Sequence, residues 1–561
     1  MGFYSLKASS VFLYSLIVCL LAFHCCAYAN QTSILFVNAS SNLSPRRIPD
    51  NFFGVFLEEI NHAGSGGLWA ELVSNRGFEA GQATSNIDPW SIVGDNSSIN
   101  ISTDLASCFK RNKVALRMEV LCGGTKPCPR GGVGISNPGF WGMNIKKGQK
   151  YKIIFYVKAL AKSNLQISFT GADDKKLASV KVTVGKTTKW TKLVNTLEAK
   201  GTYRNASLQI TTTTKGVYWF DQVSAMPVNT HKGHGFRTDL FKMVAGLKPK
   251  FLRFPGGCFV QGNILSNAFK WKDTVGPWEE RPGHLNDVWN YWTDDGFGYF
   301  EGLQDALDGI EFARGSSSSK WGSVRAAMGH PKPFDLRYIY TTSNDMFAKS
   351  SKFDKTSRSG PKAFVSEYAV WKKDAGLGSL VAAVAEAAFL IGLEKNSDIV
   401  EMACYAPLFL NINDKKWIPD AIVFDSYQLY GTPSYWVQKF FTESSGAIFL
   451  PTTLKTNSSN SVIASAINLK GSRGNQNYIR IKVVNFGITP HNLQIYVRGL
   501  NSTVRHLGST KTVLTSSNLM DENSFLKPTK VVPHQSPLKN AAKKMNVILP
   551  PYSVTSFDLL I

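Results

Sequence analysis

The segment PKAFVSEYAV (361–370) joins a β-branched and aromatic run to a loop, and the strong apolar pattern SLVAAVAEAAFLIGLEK (379–395) follows. The first run is typical of a buried strand and the second of a helix, so together they predict a strand and its crossover helix. In a parallel barrel, the carboxyl ends of the strands carry the chemistry. Glu367, near the end of this strand, is therefore the first candidate catalytic residue.

The same alternation extends outward over the middle of the chain. DLFKMVAGLK (239–248) precedes KFLRF (250–254), and VEMACYAPLF (400–409) follows the long helix. FFGVFLEEINHAG (52–64) is typical of a buried strand that ends in two acids, and it belongs with this region. Repeated βα units predict a parallel sheet covered by helices. Six strands are predicted where a closed (β/α)8 barrel has eight, near 53–57, 250–254, 336–341, 363–368, 399–405 and 420–424.

Two further regions alternate with a period of two residues, which is typical of antiparallel sandwiches. One contains YKIIFYVKAL (151–160) and VYWFDQV (217–223), and the other contains YIRIKVVNF (478–486) and VTSFDLLI (554–561). The first sandwich is then an insertion between the first barrel strand and the rest of the barrel. The predicted division is 1–29 signal peptide, 30–81 N-terminal segment with the first barrel strand, 82–227 inserted β-sandwich, 228–445 barrel and 446–561 C-terminal β-sandwich.

The N-terminus predicts export. VFLYSLIVCLLAF (11–23) is short for a membrane span, and Ala27-Tyr28-Ala29 is a small-x-small cleavage site. A membrane anchor is the alternative. A dense set of Asn-x-Ser/Thr sequons fits a secreted glycoprotein in the extracellular space or cell wall, with no membrane association after cleavage. The predicted glycosylation sites are Asn30, Asn38, Asn42, Asn96, Asn100, Asn205, Asn457 and Asn501.

Five cysteines remain after removal of the signal peptide. Cys122 and Cys128 flank the turn-rich GGTKP and can close a small loop in an oxidising compartment. The odd number leaves at least one thiol unpaired. No histidine or cysteine pairs stand at zinc-ligand intervals, so neither a metal nor a cofactor is predicted.

The net charge of +23 and the pI near 9.5 indicate acidic partners. Nucleic acid is excluded because the chain has a secretion signal and neither a basic helix nor an aromatic RNA-binding motif. An acidic polysaccharide matrix is one interpretation of the charge, since dispersed Lys and Arg would hold the protein near it. The other is that the charge only keeps the protein soluble.

Several segments carry a family resemblance. FGVFLEEINHAGSGGLWAELVSNRGFEAG (53–81), PKFLRFPGGCFVQGN (249–263), VGPWEERPGHLNDVWNYWTDDGFGYFE (275–301), GPKAFVSEYAV (360–370) and LYGTPSYWVQKFF (429–441) resemble plant α-L-arabinofuranosidases of glycoside hydrolase family 51. The resemblance implies a retaining hydrolase built from a (β/α)8 barrel, an inserted carbohydrate-binding-like β-sandwich and a C-terminal β-sandwich. It also implies action on terminal arabinofuranosyl residues of arabinose-containing wall polysaccharides such as arabinan and arabinoxylan.

The resemblance assigns roles to four residues. Glu367 matches the nucleophile, Glu58 matches a residue that hydrogen-bonds the bound sugar, and Arg253 matches one that holds the catalytic carboxylates. Tyr340, in YIYTTSN, is similar to a tyrosine that approaches the nucleophile. Glu59 is interpreted as a solvated or supporting acid rather than a catalytic one.

The sequence also departs from the family. The Gly-Asn-Glu-Asp segment that supplies the general acid/base occurs nowhere in the chain. FDLRY (334–338) runs directly into IYTTSND (339–345), and GYFEG (298–302) runs directly into LQDALDGIEFARG (303–315). Two internal barrel pieces are therefore absent. Nothing in the sequence places another acid about 5 Å from Glu367, the separation that a retaining pair requires; the acids considered are Glu301, Asp305 and Asp345.

Two function classes follow from these observations. The first is a secreted arabinofuranosidase-type glycosidase. The second is a catalytically impaired relative that acts as a carbohydrate-binding protein, in which Trp141 and Trp219 of the inserted sandwich hold sugars by stacking. The absent acid/base segment is the feature that separates the two classes.

Overall fold

A computed structural model of the chain describes residues 32–40, 45–81, 86–298, 335–456, 461–471 and 476–561, together with 316–319, 323, 326, 327 and 332. These residues form three layered regions. Each region has its own core of buried apolar side chains, and the largest core belongs to the middle region and its interface with the C-terminal sheets. Across the described segments, no helix is long and apolar enough to cross a membrane.

The middle region is a parallel sheet with helices packed beside it. Its five strands pair in the order Leu252–Arg253, Phe53–Phe56, Val400–Tyr405, Ala363–Val370 and Asp335–Thr341. The chain's first and last barrel strands, Phe53–Phe56 and Val400–Tyr405, are neighbours, as closure of a barrel requires. The helices of the region are Thr238–Gly246, Cys258–Gln261, Ser343–Ala348, Leu380–Lys395 and Pro433–Phe441.

The sixth predicted barrel strand, near 420–424, does not join this sheet. Ile422–Phe424 pairs instead with Phe409–Asn411 and Leu429–Gly431 in a separate three-stranded sheet. The apolar run AIVF predicted a buried strand correctly, but it carries no information about which sheet receives it. A two-stranded hairpin, His284–Asn286 with Tyr291–Thr293, completes the region.

The inserted domain is a sandwich of two antiparallel sheets, as predicted. One sheet has the order Lys176–Val184, Ser163–Thr170, Tyr203–Thr212, Val133–Asn137 and Ser91–Val93, with Met143–Ile145 also paired to Tyr203–Thr212. The other has the order Thr187–Glu198, Lys150–Ala159, Gly216–Pro227, Ala115–Val120 and Ile99–Asp104. Cys122 and Cys128 form a disulfide at the end of this domain, and Cys108, Cys258 and Cys404 are free thiols.

The C-terminal sandwich includes two strands from the N-terminal part of the chain. Its larger sheet has the order Arg46–Arg47, Ile448–Leu450, Val462–Gly471, Gln476–Asn485, Ser553–Leu560, Arg505–Leu514 and His534–Pro537. Its smaller sheet has the order Thr452–Thr456, Thr32–Asn38, His491–Arg498 and Lys544–Leu549. The division predicted from sequence assigned residues before Phe53 to an N-terminal segment, whereas these strands belong structurally to the C-terminal sandwich.

Single-turn 3₁₀ helices connect these elements. They are Glu79–Gly81, Ala172–Asp174, His231–Gly233, Leu265–Asn267, Trp271–Thr274, Trp278–Glu280, Lys349–Ser351 and Lys372–Asp374. Five of the predicted glycosylation asparagines lie in exposed positions, namely Asn38, Asn96, Asn100, Asn205 and Asn501. The other three, Asn30, Asn42 and Asn457, lie outside the described residues.

Candidate active site

Glu367 lies toward the carboxyl end of the strand Ala363–Val370, in which every residue is buried. Arg253 donates from Nη1 to Glu367 Oε1 at 2.6 Å and to the carbonyl oxygen of Ser366 at 3.0 Å. Two other strands separate the strands of these residues, a span of roughly 14 Å in a flat sheet. The sheet therefore curves, so that the two side chains meet on its inner side. The ion pair fixes the orientation of the Glu367 carboxylate.

Glu58 lies just beyond the end of the neighbouring strand Phe53–Phe56 and is buried. Its Oε1 accepts hydrogen bonds from the backbone N–H of Phe259 at 3.1 Å and from the indole Nε1–H of Trp289 at 3.0 Å. Burial, together with the nearby charge of Glu367, raises the pKa of Glu58 to about 7. Glu58 thus stays protonated to a pH well above that of an ordinary carboxyl.

A glycine leaves room for the Glu58 carboxyl. Gly257 has φ of 72°, and a Cβ at this position would lie 1.8 Å from Glu58 Oε2. The positive φ and the lack of space both favour glycine here. The short segment from Arg253 to Gly257 therefore contacts both carboxyl groups. Arg253 at its start pairs with Glu367, and Gly257 at its end leaves space for Glu58.

Glu59 is not solvated, contrary to one half of its sequence interpretation. It is buried, its Oε1 accepts from the Tyr291 hydroxyl at 3.0 Å, and its Oε2 accepts from the N–H of Ser65 at 3.4 Å. Its carbonyl oxygen accepts from Asn286 Nδ2 at 2.9 Å. Burial raises the pKa of Glu59 to about 8. Glu59 ties the end of the strand to the 284–293 hairpin and thereby supports the position of Glu58.

Aromatic side chains line the rim around these acids. The ring of His62 stacks on Tyr291 with centroids 3.9 Å apart, and its Nε2 lies 3.0 Å from Asp414 Oδ2. On another part of the rim, Trp371 and Trp417 stack with centroids 5.0 Å apart. Trp371 directly follows the Glu367 strand. Flat rings of this kind are suited to packing against sugar rings.

Sequence reasoning missed Trp289, Tyr291 and His62. All three occur in segments quoted for the family resemblance, namely LNDVWNYW and EEINHAG. Their roles depend on the approach of the hairpin to the end of the Phe53–Phe56 strand. The periodicity of a local segment gives no information about that long-range contact.

The remaining predicted site residues are placed only in part. Tyr340 lies on the strand Asp335–Thr341, where its Cα is paired with that of Ala369, but its side chain lies outside the described part of the structure. Glu301 and Asp305 also lie outside the described residues. Asp345 is in the first turn of the helix Ser343–Ala348. Among the side chains that the structure describes, no group of three or more His, Cys, Asp or Glu is arranged to hold a metal ion.

Comparisons with known proteins agree with this architecture. The Alpha-L-arabinofuranosidase 1 domain family matches residues 243–304 and 301–369, and the Alpha-L-arabinofuranosidase C-terminal domain family matches residues 366–553. A carbohydrate binding domain family matches residues 70–216, which cover most of the inserted sandwich. The solved structure of an arabinose-bound MgGH51 α-L-arabinofuranosidase shares the fold, with a TM-score of 0.79 and 24% identity over 94% of this chain and 100% of that chain.

Two relatives from Arabidopsis thaliana establish the family. Alpha-L-arabinofuranosidase 1 is 54% identical over 93% of this chain and 90% of its own length, and Alpha-L-arabinofuranosidase 2 is 50% identical over 97% and 95%. The first alignment extends over 614 positions, more than the 561 residues of this chain, so the relative has segments without a counterpart here. The two-part match to the Alpha-L-arabinofuranosidase 1 domain meets at 301–304, one of the two junctions identified in the sequence. The chain therefore belongs to the α-L-arabinofuranosidases of glycoside hydrolase family 51.

Proposed function

We propose that this protein is a secreted, retaining α-L-arabinofuranosidase that releases terminal non-reducing arabinofuranosyl residues from wall polysaccharides such as arabinan and arabinoxylan. The observation that carries the proposal is the ion pair between Glu367 and Arg253, which holds a buried carboxylate at the carboxyl edge of a parallel sheet. Glu58 lies near enough to interact with the charge of Glu367, and it would hydrogen-bond a sugar hydroxyl, as the family resemblance implies.

In a retaining reaction, the Glu367 carboxylate attacks the anomeric carbon while the bond to the leaving oxygen breaks. This step forms a covalent glycosyl-enzyme, which water then hydrolyses. A general acid/base normally protonates the leaving oxygen and later activates the water, and is worth ~10²–10⁴ in rate. Since the Gly-Asn-Glu-Asp segment is absent, substrates whose leaving groups depart without protonation are favoured over natural polysaccharides.

The test uses an aryl α-L-arabinofuranoside with a strongly acidic phenol, incubated with the full chain. We expect slow phenol release and an added mass of one pentosyl unit on the peptide that contains Glu367. Glu367→Gln should abolish both signals. Glu401→Gln is the matched control, because Glu401 lies near the opposite end of the adjacent strand Val400–Tyr405 and should leave both unchanged. Equal phenol release by Glu367→Gln would disprove the nucleophile assignment.

Export is the second part of the proposal, and its support is the N-terminal sequence together with the exposed sequon asparagines. In a eukaryotic secretory host, the mature protein should begin near Asn30 and lose mass on deglycosylation. Recovery of an unglycosylated chain that begins at Met1 would contradict it. The net charge of +23 supports retention on an acidic matrix, which should be reversed by moderate salt.

A further inference from the structure

The inserted sandwich contacts the barrel at the rim of the candidate active site. The contact is made by the loop 138–142, between the strands Val133–Asn137 and Met143–Ile145. Phe140 packs over Gly66, where a Cβ would lie 2.6 Å from the Phe140 ring. Arg204 of the same domain lies over the ring of Tyr427, with its guanidinium carbon 4.4 Å from the ring centroid. The sandwich is therefore joined to the barrel on the side where the catalytic strands end.

The loop 138–142 is held in one conformation. Asn137 Oδ1 accepts from the N–H of Gly139 at 2.8 Å, and the N–H of Gly142 donates to the carbonyl oxygen of Pro138 at 3.0 Å. Trp141 has φ of 61°, in the left-handed region that bulky residues rarely occupy. An outlier of this kind persists only where the surroundings impose it. The backbone that carries the Trp141 side chain is thus held in one position.

Trp141 is adjacent to the catalytic rim and still open to solvent. Its ring meets the ring of His62 edge-on, with centroids 4.9 Å apart and an interplanar angle of 87°. His62 in turn stacks on Tyr291, whose hydroxyl donates to Glu59. Trp141 nevertheless remains 45% exposed. An exposed indole on this loop, connected to Glu59 through the rings of His62 and Tyr291, has a face available for a ligand.

From this geometry we infer that Trp141 contacts the polysaccharide that carries the arabinofuranosyl unit, on the leaving-group side of the scissile bond. The inference rests on the proposed function and extends it, because it assigns polymer recognition to a residue of the inserted domain. The ligand chemistry is a neutral sugar ring, whose C–H groups pack on an aromatic face. The released arabinose itself would interact with Glu58 and Glu367, and not with Trp141.

Asp414 and Lys416 supply polar groups beside this aromatic surface. Asp414 contacts His62 through Oδ2 and Lys416 Nζ through Oδ1, at 3.0 and 3.1 Å. Asn61 holds the loop that carries them, because its Oδ1 accepts from the N–H groups of Lys416 and Trp417. Sugar hydroxyls adjacent to a stacked ring need such partners. The rim therefore offers stacking and hydrogen bonding together.

The experiment measures binding, so it does not depend on turnover. Wild type, Trp141→Ala, Trp141→Tyr and Trp190→Ala are compared by calorimetry with arabinoxylan oligosaccharides and with free L-arabinose. Trp190 is the matched control, because it lies on the other sheet of the same sandwich, near Lys158. We expect Trp141→Ala to weaken oligosaccharide binding by about 2- to 12-fold and to leave arabinose binding unchanged. Trp141→Tyr should restore most of the loss, and Trp190→Ala should bind both as wild type does.

The outcomes separate this inference from the proposed function. Unchanged oligosaccharide binding by Trp141→Ala, or a loss confined to Trp190→Ala, would overturn the role of Trp141. So would the absence of oligosaccharide binding by the unaltered chain. If the Trp141-dependent binding is found while phenol release is independent of Glu367, the inference stands and the catalytic assignment fails.

Discussion

At the residue scale, the candidate site depends on carboxyl groups whose environments differ. Glu367 is ion-paired with Arg253, whereas Glu58 and Glu59 have no cationic partner among their described hydrogen bonds and are held by N–H and O–H donors. Burial raises the pKa of both Glu58 and Glu59. Glu58 and Glu59 therefore keep their protons to a higher pH than an exposed glutamic acid does. Environments that differ in this way allow adjacent carboxyl groups to take different chemical roles.

Gly257→Ala should damage the site more than its backbone conformation alone explains. The added Cβ would strain a φ of 72° and would also displace the Glu58 carboxyl. Gly124→Ala is the matched control, since Gly124 has φ of 65° and nothing within 4 Å of the added Cβ. We expect both variants to lose about 1–2 kcal/mol of stability from strain. Only Gly257→Ala should also lose activity on the activated substrate, by roughly 10²-fold. Equal activity in the two variants would contradict the assigned contact.

Glu59→Gln should change the pH dependence of stability. A carboxyl whose folded pKa is about 8 binds more protons in the folded than in the unfolded chain between about pH 4.5 and 8. The wild type therefore loses stability as pH rises through that window, and the variant is spared this loss. We expect Glu59→Gln to be no more stable than the wild type at pH 4 and roughly 3–5 kcal/mol more stable at pH 9. Chemical denaturation at both values tests this, with the exposed Glu198→Gln as the control. A constant difference between the two pH values would refute the raised pKa.

At the scale of elements, the helix Leu380–Lys395 connects the barrel to the C-terminal sandwich. Nearly all its residues are buried, and Ser379 caps it by accepting from the N–H of Ala382. At its far end, Glu394 pairs with Lys482 of the C-terminal sheet, and both side chains are fully buried. Ser465 donates to Glu394 Oε2 at 2.6 Å, and Lys482 donates to Ser444 at 2.8 Å. The helix is thus joined to the sandwich by apolar packing, by this polar cluster and by Arg46, which donates to the carbonyl oxygens of Glu394 and Lys395.

Lys482→Met should destabilise the protein strongly, because it leaves the Glu394 carboxylate buried without its cation. A loss of about 3–5 kcal/mol is expected. The double variant Lys482→Met with Glu394→Leu removes both charges and should recover most of that stability. Thermal and denaturant unfolding of both variants measures the difference. A double variant no more stable than Lys482→Met would show that the cluster contributes more than charge compensation.

Elements with a strong local pattern were predictable, and their partners were not. The strand predicted at 363–368 is observed as Ala363–Val370, and the helix predicted at 379–395 as Leu380–Lys395, because length and apolar content define both locally. No local sequence pattern indicated that Ile422–Phe424 would lie outside the parallel sheet. Likewise, Glu58 was assigned a role by resemblance, but the contacts that shape its site come from Phe259, Trp289 and Gly257. These contacts depend on tertiary packing, which periodicity does not encode.

At the scale of the whole molecule, the parallel sheet is open in the described structure. Its outer strands are Leu252–Arg253 and Asp335–Thr341, and no pairing between them occurs among the described residues. One of the two sequence junctions, between residues 302 and 303, falls in the stretch between these strands, and the other, between residues 338 and 339, falls inside the strand Asp335–Thr341. Insertion of the corresponding segments of the Arabidopsis relative should therefore complete the barrel and supply the acid/base.

The completed chimera should hydrolyse arabinan faster than the present chain by ~10²–10⁴, the rate contribution of a positioned general acid/base. Glu367→Gln in the chimera should remove that activity. Initial rates on arabinan and on the activated aryl substrate measure the effect, and the gain should be much smaller on the aryl substrate because its phenol leaves without protonation. Equal gains on both substrates would indicate that the inserted segments only improve folding.

The strand Thr32–Asn38 has a consequence for how the chain can be assembled. It pairs in parallel with His491–Arg498 and antiparallel with Thr452–Thr456, so the first described strand lies between two strands from the last quarter of the chain. During synthesis its backbone groups stay without these partners until about 450 further residues have been made. Because so long a loop must close, this pairing is an intrinsically slow event. This sheet of the sandwich can therefore be completed only by a strand that was synthesised long before its partners, which makes residues 32–38 and the strands after residue 450 a single folding unit.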